Sequence, residues 1–126
     1  MMKEEHLPRV FHFIGGIIHA LSGHVYTVGG RTDHIHILTS VPITMSLSDF
    51  VCKIKSNSSR WIKEIDTHYK HFSWQEGYGA FSVSASNKDS VIQYITHQKE
   101  HHHKYTTQEE FIHFLAKHGI SRNDAK

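Results

Sequence analysis

The sequence predicts an α+β fold in which helices pack on an antiparallel β-sheet. Four segments repeat apolar residues at three- and four-residue steps, as amphipathic helices do, and three shorter segments are rich in β-branched residues or alternate apolar with polar residues, as strands do. Two of the strands are neighbours in the chain and flank a glycine pair, which predicts a β-hairpin and therefore antiparallel pairing. At 126 residues the chain is long enough for one compact domain and too short for two ordinary ones.

The first half of the chain is predicted to contain a helix, a hairpin and a long second helix. Pro8 suits the first turn of the first helix, which is predicted to end at Ser22-Gly23, and Ser46 or Ser48 can cap the second helix. The glycine pair Gly29-Gly30 is predicted to form the tight turn of the hairpin. In chain order, the helix, the two strands and the second helix are predicted over residues 7–21, 24–28, 33–40 and 47–65.

The second half is predicted to contain one strand and two helices. The strand covers residues 80–84, and the helix after it continues through Gln98 toward His102. We expect residues 1–6 and 121–126, at the two ends of the single domain, to be frayed. The signals that start and stop these helices are Asn87 or Asp89 as the first cap, the capping-box pair Thr107 and Glu110, and Gly119 at the end of the last helix.

Composition places the chain among soluble proteins and gives only a weak overall signal for nucleic acid. No segment approaches the ~18 to 20 consecutive apolar residues of a membrane span, and the start lacks the apolar stretch of a secretory signal, so a cytoplasmic location is expected. The single cysteine, Cys52, has no internal partner for a disulfide, and we interpret it as inert. A net charge of +2 is small, whereas fourteen histidines are far above the usual share and need an explanation.

Two histidines of the second predicted strand could bind one metal ion. His34 and His36 lie on the same face of that strand, together with Leu38, because side chains alternate with period two. They stand about 7 Å apart along the strand, from a rise of ~3.4 Å per residue. Ile35 and Ile37 face the other side of the strand. The pair alone does not name a metal, and two polar residues on the solvent face of a strand remain an equally good interpretation.

Tyr94 and Gln98 can reach one site because they stand four residues apart on a predicted helix. A phenol beside a metal-bound phosphate is a plausible nucleophile, since covalent catalysis divides a difficult displacement into two easier steps. Taken alone, Tyr94 is more simply a core or boundary aromatic, and Gln98 an ordinary surface residue. His102 lies one further turn along the same face, so the cluster His101-His102-His103 competes with Gln98 as a source of a metal ligand.

A basic stripe on the long helix could follow a phosphate backbone. Serine and asparagine lie between its charged residues, and nearby aromatic residues could stack on unpaired bases. The alternative is a solvated helix face beside a packed core. The candidate DNA-binding residues are Lys53, Lys55, Arg60 and Lys63 for the backbone, and Trp74, Tyr78 or Phe81 for the bases.

Several separate blocks of the sequence, in this order, resemble the single-tyrosine HUH transposases of the insertion sequence 200/605 type. The resemblance runs from about Leu7 to Ile120, and it is specific because it does not depend on one short pattern. The matching blocks are Asp33-His34-Ile35-His36-Ile37-Leu38, Lys53-Ile54-Lys55-Ser56-Asn57-Ser58-Ser59-Arg60-Trp61-Ile62, Phe72-Ser73-Trp74-Gln75-Glu76-Gly77-Tyr78-Gly79-Ala80-Phe81-Ser82-Val83-Ser84 and Tyr94-Ile95-Thr96-His97-Gln98.

This resemblance implies a fold, a reaction and a set of site residues. The fold would be the ferredoxin-like, RRM-like fold of the HUH family. His34 and His36 would be metal ligands, Gln98 the third ligand, and the ion Mg²⁺ or Mn²⁺. Tyr94 would cut single-stranded DNA at hairpin-bearing element ends and leave a 5′-phosphotyrosine and a free 3′-hydroxyl. Family members act as homodimers, in which the tyrosine helix can complete the partner's site.

The start of the chain departs from the family pattern. The family has a strand and a Lys- and Arg-containing segment before its first helix, whereas here only Met1 to His6 precede Leu7. We therefore expect a sheet that lacks this strand. Two other functions stay open: a truncated relative that binds DNA hairpins without cutting them, and a histidine-rich metal-binding protein unrelated to DNA.

Overall fold

The predicted α+β class is confirmed by the arrangement of helices and strands. The computed structural model describes residues 2–32, 34–74, 79–97 and 107–120, the last segment with side chains from residue 110 onward. This part of the chain holds one two-stranded antiparallel sheet and four α-helices, with short 3₁₀ turns at Glu4–His6 and Thr67–Tyr69. The elements are α1 (Leu7–Ala20), β1 (Val25–Gly30), β2 (Ile35–Thr39), α2 (Leu47–Ile65), α3 (Ala85–Thr96) and α4 (Thr107–Lys117).

Helix α1 buries one face and ends where the sequence indicates. Its four fully buried residues follow the three- and four-residue spacing of one helix face. At its end, Ser22 takes a positive φ of 69°, and the Gly23 N–H donates to the Ile18 carbonyl at 2.9 Å, so the last carbonyls are satisfied. A side chain at position 23 would meet Ile18 and the Ser40 carbonyl, which explains the glycine there. The buried residues of α1 are Leu7, Val10, Ile14 and Ile18.

The hairpin is placed differently from the prediction, because the glycine pair lies inside a strand and not in the turn. Gly29 and Gly30 are the last residues of β1, and the chain reverses after them, where the Arg31 N–H donates to the His34 carbonyl at 3.0 Å. Gly30 has a φ of +144°, and a Cβ there would lie 2.4 Å from the His34 carbonyl oxygen. Close approach of the two strands therefore requires this glycine.

A bulge in β1 decides which side chains face which side of the sheet. Val25 pairs with Thr39 but Thr27 pairs with Leu38, so Tyr26 is an extra residue in the ladder. Val25 and Val28 therefore point to the same side, although they are three residues apart. Thr27 points to the other side, where its hydroxyl lies 3.2 Å from that of Thr96 in α3.

The sheet lies between two separate apolar clusters. The first core contains α1, α2 and the turn at Tyr69, and Ile35 and Ile37 pack against it. The second core is formed by α3, α4 and the residue after α4, and Leu38 packs against it. This confirms the predicted division of the second strand into two faces. The second core consists of the buried residues Val91, Ile95, Leu115 and Ile120.

The strand predicted over residues 80–84 does not form, and the start of α3 is earlier than predicted. In the described segment 79–97, only Phe81 makes an isolated β-bridge. The apolar–polar alternation has a different cause, since Phe81 and Val83 pack against the second core. Ser84, and neither Asn87 nor Asp89, is the N-cap residue of α3. The Asn87 side-chain N–H instead donates to the carbonyl of His118, the residue after α4, at 3.1 Å.

The ends of α2 and α4 agree with their signals. Ser46, one of the two predicted caps, accepts a hydrogen bond from the Asp49 N–H at 3.1 Å. Gly119 follows α4 with a φ of +70°, and the Ile120 N–H returns to the Leu115 carbonyl at 2.9 Å. None of the helices in the described ranges combines the length and apolarity that a membrane crossing needs.

Residues 2–6, in the segment where fraying is expected, contact the rest of the fold. Met2 is 5% exposed and belongs to the first core. The Lys3 N–H donates to the Tyr69 hydroxyl, and His6 Nδ1 lies at 2.7 Å from the same oxygen. Lys3 Nζ also pairs with Asp66 at 3.2 Å. The pKa of Asp66 is held below its usual value, first by the hydrogen bond from the His68 backbone N–H and then by the contact with Lys3. These contacts fix the segment; residues 121–126 lie outside the described ranges.

Candidate active site

His34 and His36 lie together on the side of the sheet that faces α3 and α4. Their ring centroids are 4.8 Å apart, close enough for one nitrogen of each ring to approach a common ion. The Nε2 atom of His34 is buried. The residue directly opposite His36 on β1 is Gly29, which has no side chain.

Tyr94 lies on α3 and is held by two residues of α4. Its side chain is 6% exposed, its hydroxyl donates to Oε1 of Glu110 at 2.8 Å, and its ring stacks on Phe114 at 4.3 Å. Burial, followed by the hydrogen bond to Glu110 and the negative charge of that carboxylate, raises the pKa of Tyr94 above the ordinary tyrosine value. The phenol is therefore protonated at neutral pH in this arrangement.

Phe111 connects the histidine pair to the tyrosine. Its ring stacks on His36 with centroids 3.9 Å apart and planes 18° apart, and its centroid is 5.5 Å from that of Tyr94. Phe111 therefore contacts both parts of the candidate site.

Gly29 also lets α3 approach the sheet closely. A Cβ on Gly29 would lie 2.4 Å from the carbonyl oxygen of Ile95, which is nearer than any real contact. Ile95 is the residue after Tyr94. Gly29 thus pairs with His36 on the neighbouring strand and lies against the backbone of the residue after Tyr94. It therefore lies next to both parts of the candidate site.

The described residues supply part of a metal site. Two adjacent imidazoles suit a divalent transition ion, while an amide oxygen would add a harder ligand. No group of three His, Cys, Asp or Glu side chains gathers within the ranges that the structure describes. Gln98 and the cluster His101-His102-His103 lie outside these ranges, so the choice between Gln98 and His102 as third ligand stays a prediction.

The predicted DNA-binding residues are divided by the structure. Lys53, Arg60 and Lys63 are exposed along α2, whereas Lys55 is half-buried. Trp74 packs against the first core, and its indole N–H donates to the buried Ser58 hydroxyl at 2.9 Å. Phe81 packs in the second core, and Tyr78 lies outside the described residues. Of the predicted DNA-binding residues that the structure describes, Lys53, Arg60 and Lys63 are therefore the ones exposed on the surface.

Sequence reasoning did not assign Glu110, Phe111 or Gly29 to the site. Glu110 was assigned to a capping box, yet its carboxylate accepts a hydrogen bond from Tyr94. The available signal was an aromatic pair, Phe111 and Phe114, at three-residue spacing beside an acidic residue, which places all three on one turn of helix.

Comparison with known proteins identifies the family. No curated protein matches the chain. The model of the family described as transposase IS200-like matches residues 1–98, which include the histidine pair, α2, Tyr94 and the position of Gln98. Since this match covers well over half of the 126 residues, the chain belongs to the IS200-like transposase family.

Proposed function

We propose that the chain cuts and rejoins single-stranded DNA at insertion-sequence ends, with Tyr94 as the nucleophile. The observation that carries this proposal is the placement of the His34 and His36 rings, 4.8 Å apart, on the same side of the sheet as Tyr94. The Phe111 ring contacts both His36 and Tyr94. Family membership supports a role in transposition.

Each residue has a separate part in the proposed reaction. His34 and His36, with Gln98, would hold Mg²⁺ or Mn²⁺, which when bound polarises the scissile phosphate and neutralises developing charge. Tyr94 attacks phosphorus and the bond to the 3′ oxygen breaks, which leaves a 5′-phosphotyrosine and a 3′-hydroxyl. Lys53, Arg60 and Lys63 provide exposed positive charge for the DNA backbone. A homodimer that recognises hairpin ends fits the family but remains part of the proposal.

The experiment uses single-stranded fragments that tile the genomic DNA on both sides of the coding sequence, each labelled at its 3′ end. With Mn²⁺, wild-type protein should form a labelled covalent adduct, because the 5′-phosphate stays on the tyrosine. Tyr94→Phe should abolish the adduct, and Tyr26→Phe, a change at a tyrosine that is 41% exposed, should retain it. An unchanged adduct in Tyr94→Phe would exclude Tyr94 as the nucleophile.

Metal binding by the same variants tests the ligands. His34→Ala and His36→Ala should each weaken Mn²⁺ binding, measured by the loss of free-ion electron paramagnetic resonance signal, and should also remove the adduct. A control, His12→Ala, changes an exposed histidine of α1 and should do neither. Zinc or nickel binding that survives His34→Ala would instead favour a histidine-rich metal-binding protein that uses His101 to His103.

A second function is favoured by the covered state of Tyr94. Because this phenol is buried, protonated and packed between Phe111 and Phe114, the chain could bind DNA hairpins without cutting them. That function predicts binding that weakens steeply with salt and no adduct with any fragment. A covalent adduct that depends on Tyr94 contradicts it.

A further inference from the structure

The contact between α3 and α4 brings a carboxylate to the reacting atom of the proposed reaction. Glu110 Oε1 lies 2.8 Å from the Tyr94 hydroxyl oxygen, within the range in which a general base takes a proton. We propose that Glu110 is a catalytic residue that accepts the proton of Tyr94 as the tyrosine attacks the phosphate. This inference rests on the proposed function.

Further contacts between α3 and α4 hold Glu110 and Tyr94 in place. Near the other end of the pair, Asn87 of α3 bonds to the His118 carbonyl at the end of α4 at 3.1 Å. Between these two bonds, Phe114 stacks on Tyr94, and Leu115 is 1% exposed in the second core. The two helices therefore run antiparallel, with Glu110 held opposite Tyr94.

The chemistry of a tyrosine nucleophile requires such an acceptor. An ordinary phenol has a pKa near 10, so only about one molecule in a thousand is ionised at pH 7. Burial of Tyr94 lowers that fraction further. Ionisation before attack is therefore disfavoured, and transfer of the proton during attack avoids forming a free phenolate.

The proposed step is balanced in atoms and charge. The Tyr94 proton moves to the Glu110 carboxylate while the Tyr94 oxygen forms a bond to phosphorus. The bond between phosphorus and the 3′ oxygen breaks, and that oxygen takes a proton from water to become the 3′-hydroxyl. In the rejoining step a 3′-hydroxyl attacks phosphorus and gives its proton to water, the bond between phosphorus and the Tyr94 oxygen breaks, and Glu110 returns its proton to that oxygen.

Three variants separate proton acceptance from simple support of Tyr94. Glu110→Gln keeps the size of the side chain and an oxygen that accepts the hydrogen bond, but it cannot take the proton at neutral pH. Glu110→Ala removes both and leaves space. Glu5→Gln makes the same chemical change at an exposed residue and is the matched control.

The measurement is the rate of Mn²⁺-dependent adduct formation on the labelled fragments described above, with and without added formate. We expect Glu110→Gln to be slower by about 10²- to 10⁴-fold, with Glu5→Gln unchanged. Formate should restore part of the rate to Glu110→Ala, which has room for it, and not to Glu110→Gln.

The outcomes distinguish this proposal from the proposed function. A wild-type rate in Glu110→Gln, or a slow Glu110→Ala that formate does not restore, overturns the role of Glu110 while a Tyr94-dependent adduct still supports the strand-transfer function. An adduct that persists in Tyr94→Phe overturns both.

Discussion

Tyr94, the proposed nucleophile, is also a packed side chain of the fold. Its ring stacks on Phe114, which packs against the second core, and its hydroxyl contacts Glu110, so both burial and charge favour the neutral phenol. In the proposed reaction, a phenol held in this state reacts while Glu110 accepts its proton.

The raised pKa of Tyr94 also predicts how stability changes at alkaline pH. Tyr94 titrates near pH 10 in the unfolded chain and at a higher pH in the folded protein. The contribution of the neutral phenol to the free energy of unfolding is therefore fully present below about pH 10 and is lost as pH rises toward the folded pKa. We expect the difference in free energy of unfolding between wild type and Tyr94→Phe to shift against wild type above that pH. Urea unfolding at pH 8 to 11 measures it, and a constant difference would contradict the raised pKa.

At the scale of elements, α3 depends on the smallest side chain of β1. Gly29 allows the backbone at Ile95 to sit directly on the strand, and this contact sets the distance between the helix of Tyr94 and the strand of His36. The neighbouring hydroxyl contact between Thr27 and Thr96 fixes the end of the helix on the same strand. The strand and the helix behave as one unit of the site.

Gly29→Ala should separate these elements. The new Cβ has to displace the Ile95 carbonyl, so we expect the free energy of unfolding to fall by about 1–3 kcal/mol and the adduct yield to fall with it. The control is Gly16→Ala in α1, which has open space and should raise stability by about 0.5–1 kcal/mol. Urea unfolding of both variants tests this; equal effects would show that α3 is not seated through Gly29.

The elements also show which features are readable from sequence. The two faces of the second strand were predicted correctly because alternation is a local property of extended chain, and the end of α1 was predicted because Ser22-Gly23 is a local stop signal. The role of Gly29 could not be predicted, since it depends on a helix some sixty residues later. The contact of Glu110 with Tyr94 and the missing strand at 80–84 likewise depend on packing between distant segments.

At the scale of the whole molecule, the described residues form a two-stranded sheet with a separate core on each side. The first core holds α1, α2 and the first residues of the chain, and the second holds α3 and α4, which carry Tyr94 and its contacts. A two-stranded hairpin is a small barrier between them, and stability need not be uniform across such a structure. We therefore expect that the layer with the candidate nucleophile can loosen while the other layer stays folded.

Leu115→Ala tests this division. Leu115 is 1% exposed, so its loss should cost about 2–5 kcal/mol of second-core stability. Hydrogen exchange should show lost protection in α3 and α4 and little change in α1 and α2. Ile112→Ala, at a residue of the same helix that is 45% exposed, should change stability by less than about 0.5 kcal/mol. Equal loss of protection in all four helices would show a single cooperative unit.

The bulge at Tyr26 keeps Gly29 on the side of the sheet that faces α3. If Tyr26 instead paired as an ordinary member of the ladder while Val25 kept its side, strict alternation would turn Gly29 toward the first core and would point the Val28 side chain at Ile95. Deletion of Tyr26, in contrast, would leave residues Thr27 to Gly30 opposite their present partners on β2. The position of α3 on the strand therefore depends on one residue that stays outside the ladder.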